Sequence, residues 1–168
     1  MYNEIFNVDD MIKLQNLLLK NQKTITCAES CTGGLVSFLI TNISGSSNIF
    51  NGSIISYSNE IKNQELNVKK ETLENHGAVS KETVKEMLSG SLAKFKADYT
   101  ISISGIAGPT GGSIEKPVGT VVIGIMGYEG EQEIETYCFK GSRIEVQNQA
   151  AKTSLKKILN FVEKTLDK

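Results

Sequence analysis

Apolar residues recur along this chain in two patterns, one typical of strands and one typical of helices. Short apolar runs predict five β-strands, at residues 24–28, 49–57, 99–104, 119–126 and 133–139. Apolar residues at three- and four-residue spacing predict helices at residues 9–20, 33–41, 59–66, 80–95 and 146–166. Because helices alternate with apolar strands, we expect an α/β fold in the form of a three-layer α/β/α sandwich.

Two polar segments refine this picture. The segment 128–132 (YEGEQ) joins two predicted strands and indicates a hairpin, so we expect a mixed, mostly parallel sheet. Ser142 and Glu145 have the S-x-x-E spacing of a capping box and predict where the last helix begins. We find no internal repeat or linker, and we expect residues 1–168 to form one domain.

The charge balance argues against two classes of partner. The 18 basic and 19 acidic residues leave a net charge of −1, which offers no electrostatic footprint for nucleic acid or a membrane surface. The longest apolar runs are too short to span a bilayer, and no signal peptide pattern is present, so we expect a cytoplasmic protein.

The sequence has few residues that could bind a metal. It contains one histidine and three cysteines, and Cys27 and Cys31 are not in C-x-x-C spacing, which argues against a metal centre.

The loop 28–34 (AESCTGG) is the first place where chemistry is expected. It leaves a predicted strand and enters a helix, and Ser30 lies at the bend. The N–H groups of Thr32, Gly33 and Gly34 would lie at the helix start, where they suit an anion or a developing oxyanion. The alternative is an ordinary capped turn in which Ser30 or Thr32 satisfies those N–H groups.

A serine nucleophile needs a base, and two residues are candidates. His76, the only histidine, precedes Gly77 and has the pattern of a helix-ending residue. Lys62 falls in the first turn of the predicted helix 59–66, just after Tyr57 at a strand end. A neutral lysine at pH 7 costs about 4 kcal/mol and the helix dipole supplies only about 0.3–1 kcal/mol, so burial or a second cation must supply the rest. Otherwise Lys62 is a solvated surface lysine.

A second loop, 104–112 (SGIAGPTGG), follows the strand 99–104 and carries four glycines. Such a backbone can wrap closely around a sugar or a phosphate. Lys116 follows it, and Arg143 lies just inside the last helix, where a cation opposes the dipole unless an anion is near. Arg143 is therefore a candidate phosphate clamp, with a solvated arginine as the alternative.

Five ordered motifs carry a family resemblance: residues 26–34 (TCAESCTGG), 57–62 (YSNEIK), 76–80 (HGAVS), 104–109 (SGIAGP) and 116–119 (KPVG). Together they resemble the CinA C-terminal domain family, which includes bacterial nicotinamide-nucleotide amidases. The resemblance covers about residues 14–159. It implies hydrolysis of nicotinamide mononucleotide to nicotinate mononucleotide and ammonia, with neither metal nor cofactor.

The resemblance also implies roles for particular residues. Ser30 would be the nucleophile, with Tyr57 and Lys62 as the activating pair, and which of these two is the principal base stays open. The residues implied in substrate binding are Glu29, Thr32, Gly33, Gly34, Ser104, Gly105, Ala107, Gly108, Lys116 and Arg143. The chain departs from the family pattern at Ser44 and Ser53, at Ser104 in place of threonine, and at Gln147, near where a second basic residue is common.

Three other functions are weighed against this one. The chain could be a non-catalytic nucleotide-binding or competence-related regulatory module, an amidase that uses the thiol of Cys27 or Cys31, or an interaction protein in DNA uptake. Retention of Ser30, Tyr57 and Lys62 together favours the enzyme. We expect a symmetric homo-oligomer, which is the common state of such soluble enzymes.

Overall fold

The computed structural model describes residues 3–166, which form five strands, six α-helices and one short 3₁₀ helix. The strands are β1 (Ile25–Glu29), β2 (Phe50–Ile55), β3 (Tyr99–Gly105), β4 (Thr120–Gly127) and β5 (Gln132–Cys138). The helices are α1 (Val8–Lys20), α2 (Leu35–Thr41), α3 (Asn59–Leu66), α4 (Lys70–His76), α5 (Lys81–Phe95) and α6 (Arg143–Leu166), with the 3₁₀ helix at Ser46–Asn48.

The five strands form one mixed sheet in the order β2-β1-β3-β4-β5. β1 pairs in parallel with both β2 and β3, whereas β3–β4 and β4–β5 are antiparallel. The predicted mixed sheet is confirmed, although parallel pairs do not predominate. The loop 106–119 carries no helix, so it returns the chain directly and makes β4 antiparallel to β3, which the sequence pattern did not indicate.

Helices cover both faces of the sheet, which confirms the α/β fold. On one face α1, α2 and α6 pack against β-strand residues that include Ile101 and Ile123. On the other face Leu66, Val84 and Leu88 of α3 and α5 pack against the opposite side of the strands. Of the helices within residues 3–166, none is both long and apolar enough to cross a bilayer.

Polar side chains cap the starts of α1, α3 and α5, whereas α2 and α4 have no capping hydrogen bond from their N-cap residues. The side chain of Ser58 accepts a hydrogen bond from the N–H of Ile61 and begins α3, which fixes the helix that carries Lys62. The predicted helix 33–41 begins only at Leu35, because Gly33 and Gly34 take φ values of 58° and 102°. Residues 30–34 therefore form a tight turn and not a first helical turn.

The contact between α3 and α5 depends on the absence of a side chain at Gly90. A Cβ atom at this position would collide with the carbonyl oxygen of Leu66 in α3. The two helices can approach so closely only because residue 90 is glycine.

We predict that Gly90→Ala lowers the free energy of unfolding by about 1–3 kcal/mol, because α3 and α5 must separate to admit the methyl group. Chemical denaturation followed by circular dichroism measures this loss. Ser89→Ala, at an exposed position on the same helix, is the control and should stay within about 0.5 kcal/mol of the parent. A Gly90→Ala protein as stable as that control would contradict the close approach.

Candidate active site

Three parallel strands end at the same edge of the sheet. β1 ends at Glu29, β2 at Ile55 and β3 at Gly105, and all three run in the same direction. The loops that follow them are therefore brought together, as is usual for the ligand sites of α/β sheets. The two loops that the sequence analysis selected, 28–34 and 104–112, both leave the sheet at this edge.

Ser30 and Lys62 are in direct contact at this edge. The Nζ of Lys62 lies 3.0 Å from Ser30 Oγ, and it donates a second hydrogen bond of 2.7 Å to the carbonyl oxygen of Ser56. The Lys62 side chain is 1% exposed and Ser30 is 8% exposed. A hydroxyl and an amine from different strand ends thus meet in a largely buried site.

The surroundings of Lys62 favour its neutral form. Burial lowers the pKa of Lys62 to about 8, and a smaller influence of Cys31 opposes this shift. Among residues 3–166 no carboxylate forms an ion pair with Lys62, and Nζ has two acceptors at hydrogen-bond distance. In its neutral form the amine can donate to the carbonyl oxygen of Ser56 and accept from the Ser30 hydroxyl, as a general base must.

The carboxylate of Glu29 is directed at the residues that begin α2. The residue is fully buried. Its oxygens accept hydrogen bonds from the side chains of Thr32 (2.7 Å) and Ser37 (2.6 Å) and from the N–H groups of Gly34, Val36 and Ser37 (3.2, 3.0 and 3.0 Å). Glu29 therefore occupies the start of α2 itself and fixes the turn that presents Ser30.

The hydrogen bonds within this turn determine which backbone N–H groups are available to a ligand. Of the three predicted oxyanion donors, the N–H of Gly33 is bonded to Ser30 O at 3.0 Å and that of Gly34 to Glu29. Within the described chain, the N–H groups of Cys31 and Thr32 have no protein acceptor. Successive N–H groups in a turn form a concavity suited to an oxyanion, so Thr32 stays a candidate donor and Cys31 becomes a second candidate.

Arg143 joins two other parts of the site. Its guanidinium donates to the hydroxyl of Tyr57 at 2.8 Å and to the carbonyl oxygen of Gly108 at 2.7 Å. Tyr57 is 60% exposed, and its hydroxyl contacts Arg143 and not Ser30 or Lys62. The predicted activating pair is therefore separated, with Lys62 at the serine and Tyr57 at the guanidinium.

The remaining predicted binding residues divide into two groups. Ser104 and Ala107 are buried, and Gly105 lies against Val121, so this part of the glycine-rich loop packs close to the sheet edge. Lys116 lies elsewhere, because its Nζ donates to the carbonyl oxygen of His76 at 3.0 Å. The structure thus brings Arg143 to the glycine-rich loop and places Lys116 beside the end of α4.

The histidine and the thiols have surroundings unlike those of a base or a nucleophile. His76 ends α4 before Gly77, as the sequence indicated, and its ring lies at the surface near Glu82. Burial raises the pKa of Cys31 to about 12 and raises that of Cys27 further. Both thiols therefore stay protonated near neutral pH, where a thiol nucleophile needs to be a thiolate.

One contact involves a residue that sequence reasoning did not place in the site. Gln147 Nε2 donates to the carbonyl oxygen of Cys31 at 2.9 Å. Gln147 lies four residues after Arg143 on α6, so both side chains leave the same face of the helix. This spacing is the signal that could have found it.

These features match a known domain. Residues 10–162 match the family model of the CinA C-terminal domain. The chain belongs to this family. Among its CinA relatives, a CinA-like protein of Petrotoga mobilis is 46% identical over 153 residues, which are 91% of this chain and 38% of that protein. The chain thus spans little more than a third of the length of that relative.

Other CinA-family proteins agree in length as well as in sequence. The nicotinamide-nucleotide amidohydrolase PncC of Escherichia coli K12 is 52% identical over 132 residues, which are 79% of this chain and 80% of that protein. A crystal structure of competence damage-inducible protein A from Klebsiella pneumoniae superposes with a TM-score of 0.88 at 32% identity, and covers 92% of this chain and 96% of its own. The CinA fold is therefore shared over nearly the whole chain.

We predict that Glu29→Gln destabilises the protein by about 2–4 kcal/mol, because an amide offers one acceptor oxygen to donors that now share a carboxylate. Thermal or denaturant unfolding measures the change. Glu71→Gln is the matched control, since Glu71 lies exposed in the first turn of α4. Equal stability of the two variants would show that the carboxylate does not hold the turn.

Proposed function

We propose that the chain hydrolyses the carboxamide of nicotinamide mononucleotide to nicotinate mononucleotide and ammonia, with Ser30 as nucleophile and Lys62 as base. The observation that carries the chemistry is the 3.0 Å contact between Lys62 Nζ and Ser30 Oγ in a buried site. The substrate is supported by the name of the Escherichia coli relative, which is 52% identical.

In the first half of the reaction, neutral Lys62 accepts the proton of the Ser30 hydroxyl while Oγ bonds to the carboxamide carbon. The carbonyl electrons move to oxygen, and the N–H groups of Cys31 and Thr32 stabilise the resulting oxyanion. The Lys62 ammonium then returns its proton to the amide nitrogen. The carbon–nitrogen bond breaks, ammonia leaves, and a nicotinoyl ester remains on Ser30.

In the second half, neutral Lys62 accepts a proton from water while the water oxygen bonds to the ester carbon. The same two N–H groups stabilise the second tetrahedral intermediate. Its collapse releases the nicotinate product, and Lys62 returns the proton to Ser30 Oγ. Lys62 is the principal base in this scheme because it alone of the two candidates contacts the serine.

Arg143, Tyr57 and the glycine-rich loop serve the rest of the nucleotide. The guanidinium lies between Tyr57 and Gly108 and retains further N–H donors for a phosphate. Tyr57 is exposed and can contact the ligand directly. We assign these residues to substrate binding, which leaves the reacting carboxamide to the buried serine and lysine.

We predict that Ser30→Ala and Lys62→Met each reduce the rate of ammonia release from nicotinamide mononucleotide by at least about 10³-fold, because nucleophile and base act as a unit. A coupled ammonia assay measures the rate, and circular dichroism checks folding. Ser89→Ala is the control and should keep full activity, since this serine is exposed on α5.

A different result would favour the regulatory function. If the parent protein binds the mononucleotide in calorimetry but releases no ammonia, the chain is a nucleotide-binding module. Full activity in Ser30→Ala would exclude the serine mechanism.

We also predict the pH dependence of kcat/KM. Only neutral Lys62 can accept the serine proton, so activity rises with pH through the lysine pKa of about 8 and then levels off. At pH 6 kcat/KM should be about one hundredth of its plateau value. Initial rates between pH 6 and 9.5, with circular dichroism at each pH as the control for folding, measure the profile. A flat profile over this range would contradict a lysine base.

A further inference from the structure

The side chain of Gln147 ties α6 to the turn that carries Ser30. Its Nε2 donates a 2.9 Å hydrogen bond to the carbonyl oxygen of Cys31. The side chain is half-buried, and Gln147 follows the buried Val146, whose helix packs against the sheet. The donor is thus held by a helix that packs against the sheet.

The carbonyl that accepts this bond belongs to the same peptide unit as the N–H group of Thr32. The carbonyl of Cys31 and the N–H of Thr32 belong to the same planar peptide group. The orientation of that N–H is therefore fixed when the carbonyl is fixed. In the described chain this N–H has no protein acceptor, so it is open to a ligand oxygen.

The preceding peptide unit is held in the same way. The carbonyl of Ser30 accepts from the N–H of Gly33 at 3.0 Å, while the N–H of Cys31 is open. Both units therefore have a bonded carbonyl and an open N–H. A hydrogen bond to a carbonyl polarises its peptide and strengthens the N–H as a donor. The local turn supplies one of these bonds, and Gln147 supplies the other from a distant part of the chain.

We propose that Gln147 is a positioning residue for catalysis, which orients and polarises the Cys31–Thr32 peptide so that the Thr32 N–H stabilises the oxyanion formed at Ser30. This inference rests on the proposed function, because it assumes an oxyanion at the serine. Gln147 itself does not contact the reacting atoms. Its loss should therefore lower kcat and leave KM nearly unchanged, since the bond matters most in the transition state.

The chain offers a matched control on the same helix. Gln149 Nε2 also donates to a loop carbonyl, that of Lys140, at 2.7 Å. That loop precedes α6 and does not carry Ser30. Gln147→Leu and Gln149→Leu thus remove the same chemical group from the same helix, and only the first removes a bond to the Ser30 turn.

We expect Gln147→Leu to lower kcat for nicotinamide mononucleotide about 10-fold, less than the 10²–10³-fold typical when an oxyanion donor itself is removed. Gln149→Leu should stay within about 2-fold of the parent. Gln147→Lys restores an N–H donor and should recover most of the lost rate. A low kcat in Gln147→Leu that lysine does not recover would show a general packing defect and overturn the proposal.

A second measurement separates this inference from the choice of substrate. A fluorophosphonate forms a bond from Ser30 Oγ to phosphorus with loss of fluoride, and its phosphoryl oxygen needs the same N–H donors. Intact-mass spectrometry over time gives the labelling rate, with Ser30→Ala as the unlabelled reference. Slower labelling of Gln147→Leu than of Gln149→Leu supports the positioning role even if the mononucleotide is not hydrolysed, a result that would defeat only the proposed substrate. Equal labelling and equal kcat in the two leucine variants would overturn the role of Gln147.

Discussion

A lysine amine buried beside a serine hydroxyl is the constraint around which this site is built. Lys62 is almost fully buried and has no carboxylate partner among residues 3–166, so its positive charge is poorly accommodated. The same burial that disfavours the charge lowers the pKa to about 8 and makes the amine available as a base. Because an unpaired buried ammonium is destabilising, the surrounding fold must hold this lysine in place.

The fold holds Lys62 beside Ser30 by bringing separate segments of the chain together at one edge of the sheet. Glu29 anchors the turn of Ser30 to α2, and Ser58 fixes the start of α3, so the nucleophile and the base are each held by their own helix. Arg143 and Gln147 then link α6 to the glycine-rich loop and to the serine turn. In this arrangement α6 reaches both the binding part and the reacting part of the site.

The sequence predicted the layered fold well, because strand and helix patterns are local. It indicated Ser30 and Lys62 as possible partners, but their contact depends on the pairing of β1 with β2, which is a tertiary property. The roles of Glu29 and Gly34 were harder to foresee, since the carboxylate that takes up the helix-start N–H groups comes from the protein itself. The separation of Tyr57 from Lys62 also follows from side-chain directions that spacing does not reveal.

The ionisation of Lys62 can be observed directly. With ¹⁵N-labelled lysine, the Nζ resonance that is missing from the Lys62→Met protein can be followed by NMR through a pH titration of the parent. We expect a titration midpoint near pH 8, well below the midpoints of the exposed lysines. A midpoint above pH 10 would leave fewer than about one amine in a thousand neutral at pH 7, and Lys62 could not then be the base for Ser30.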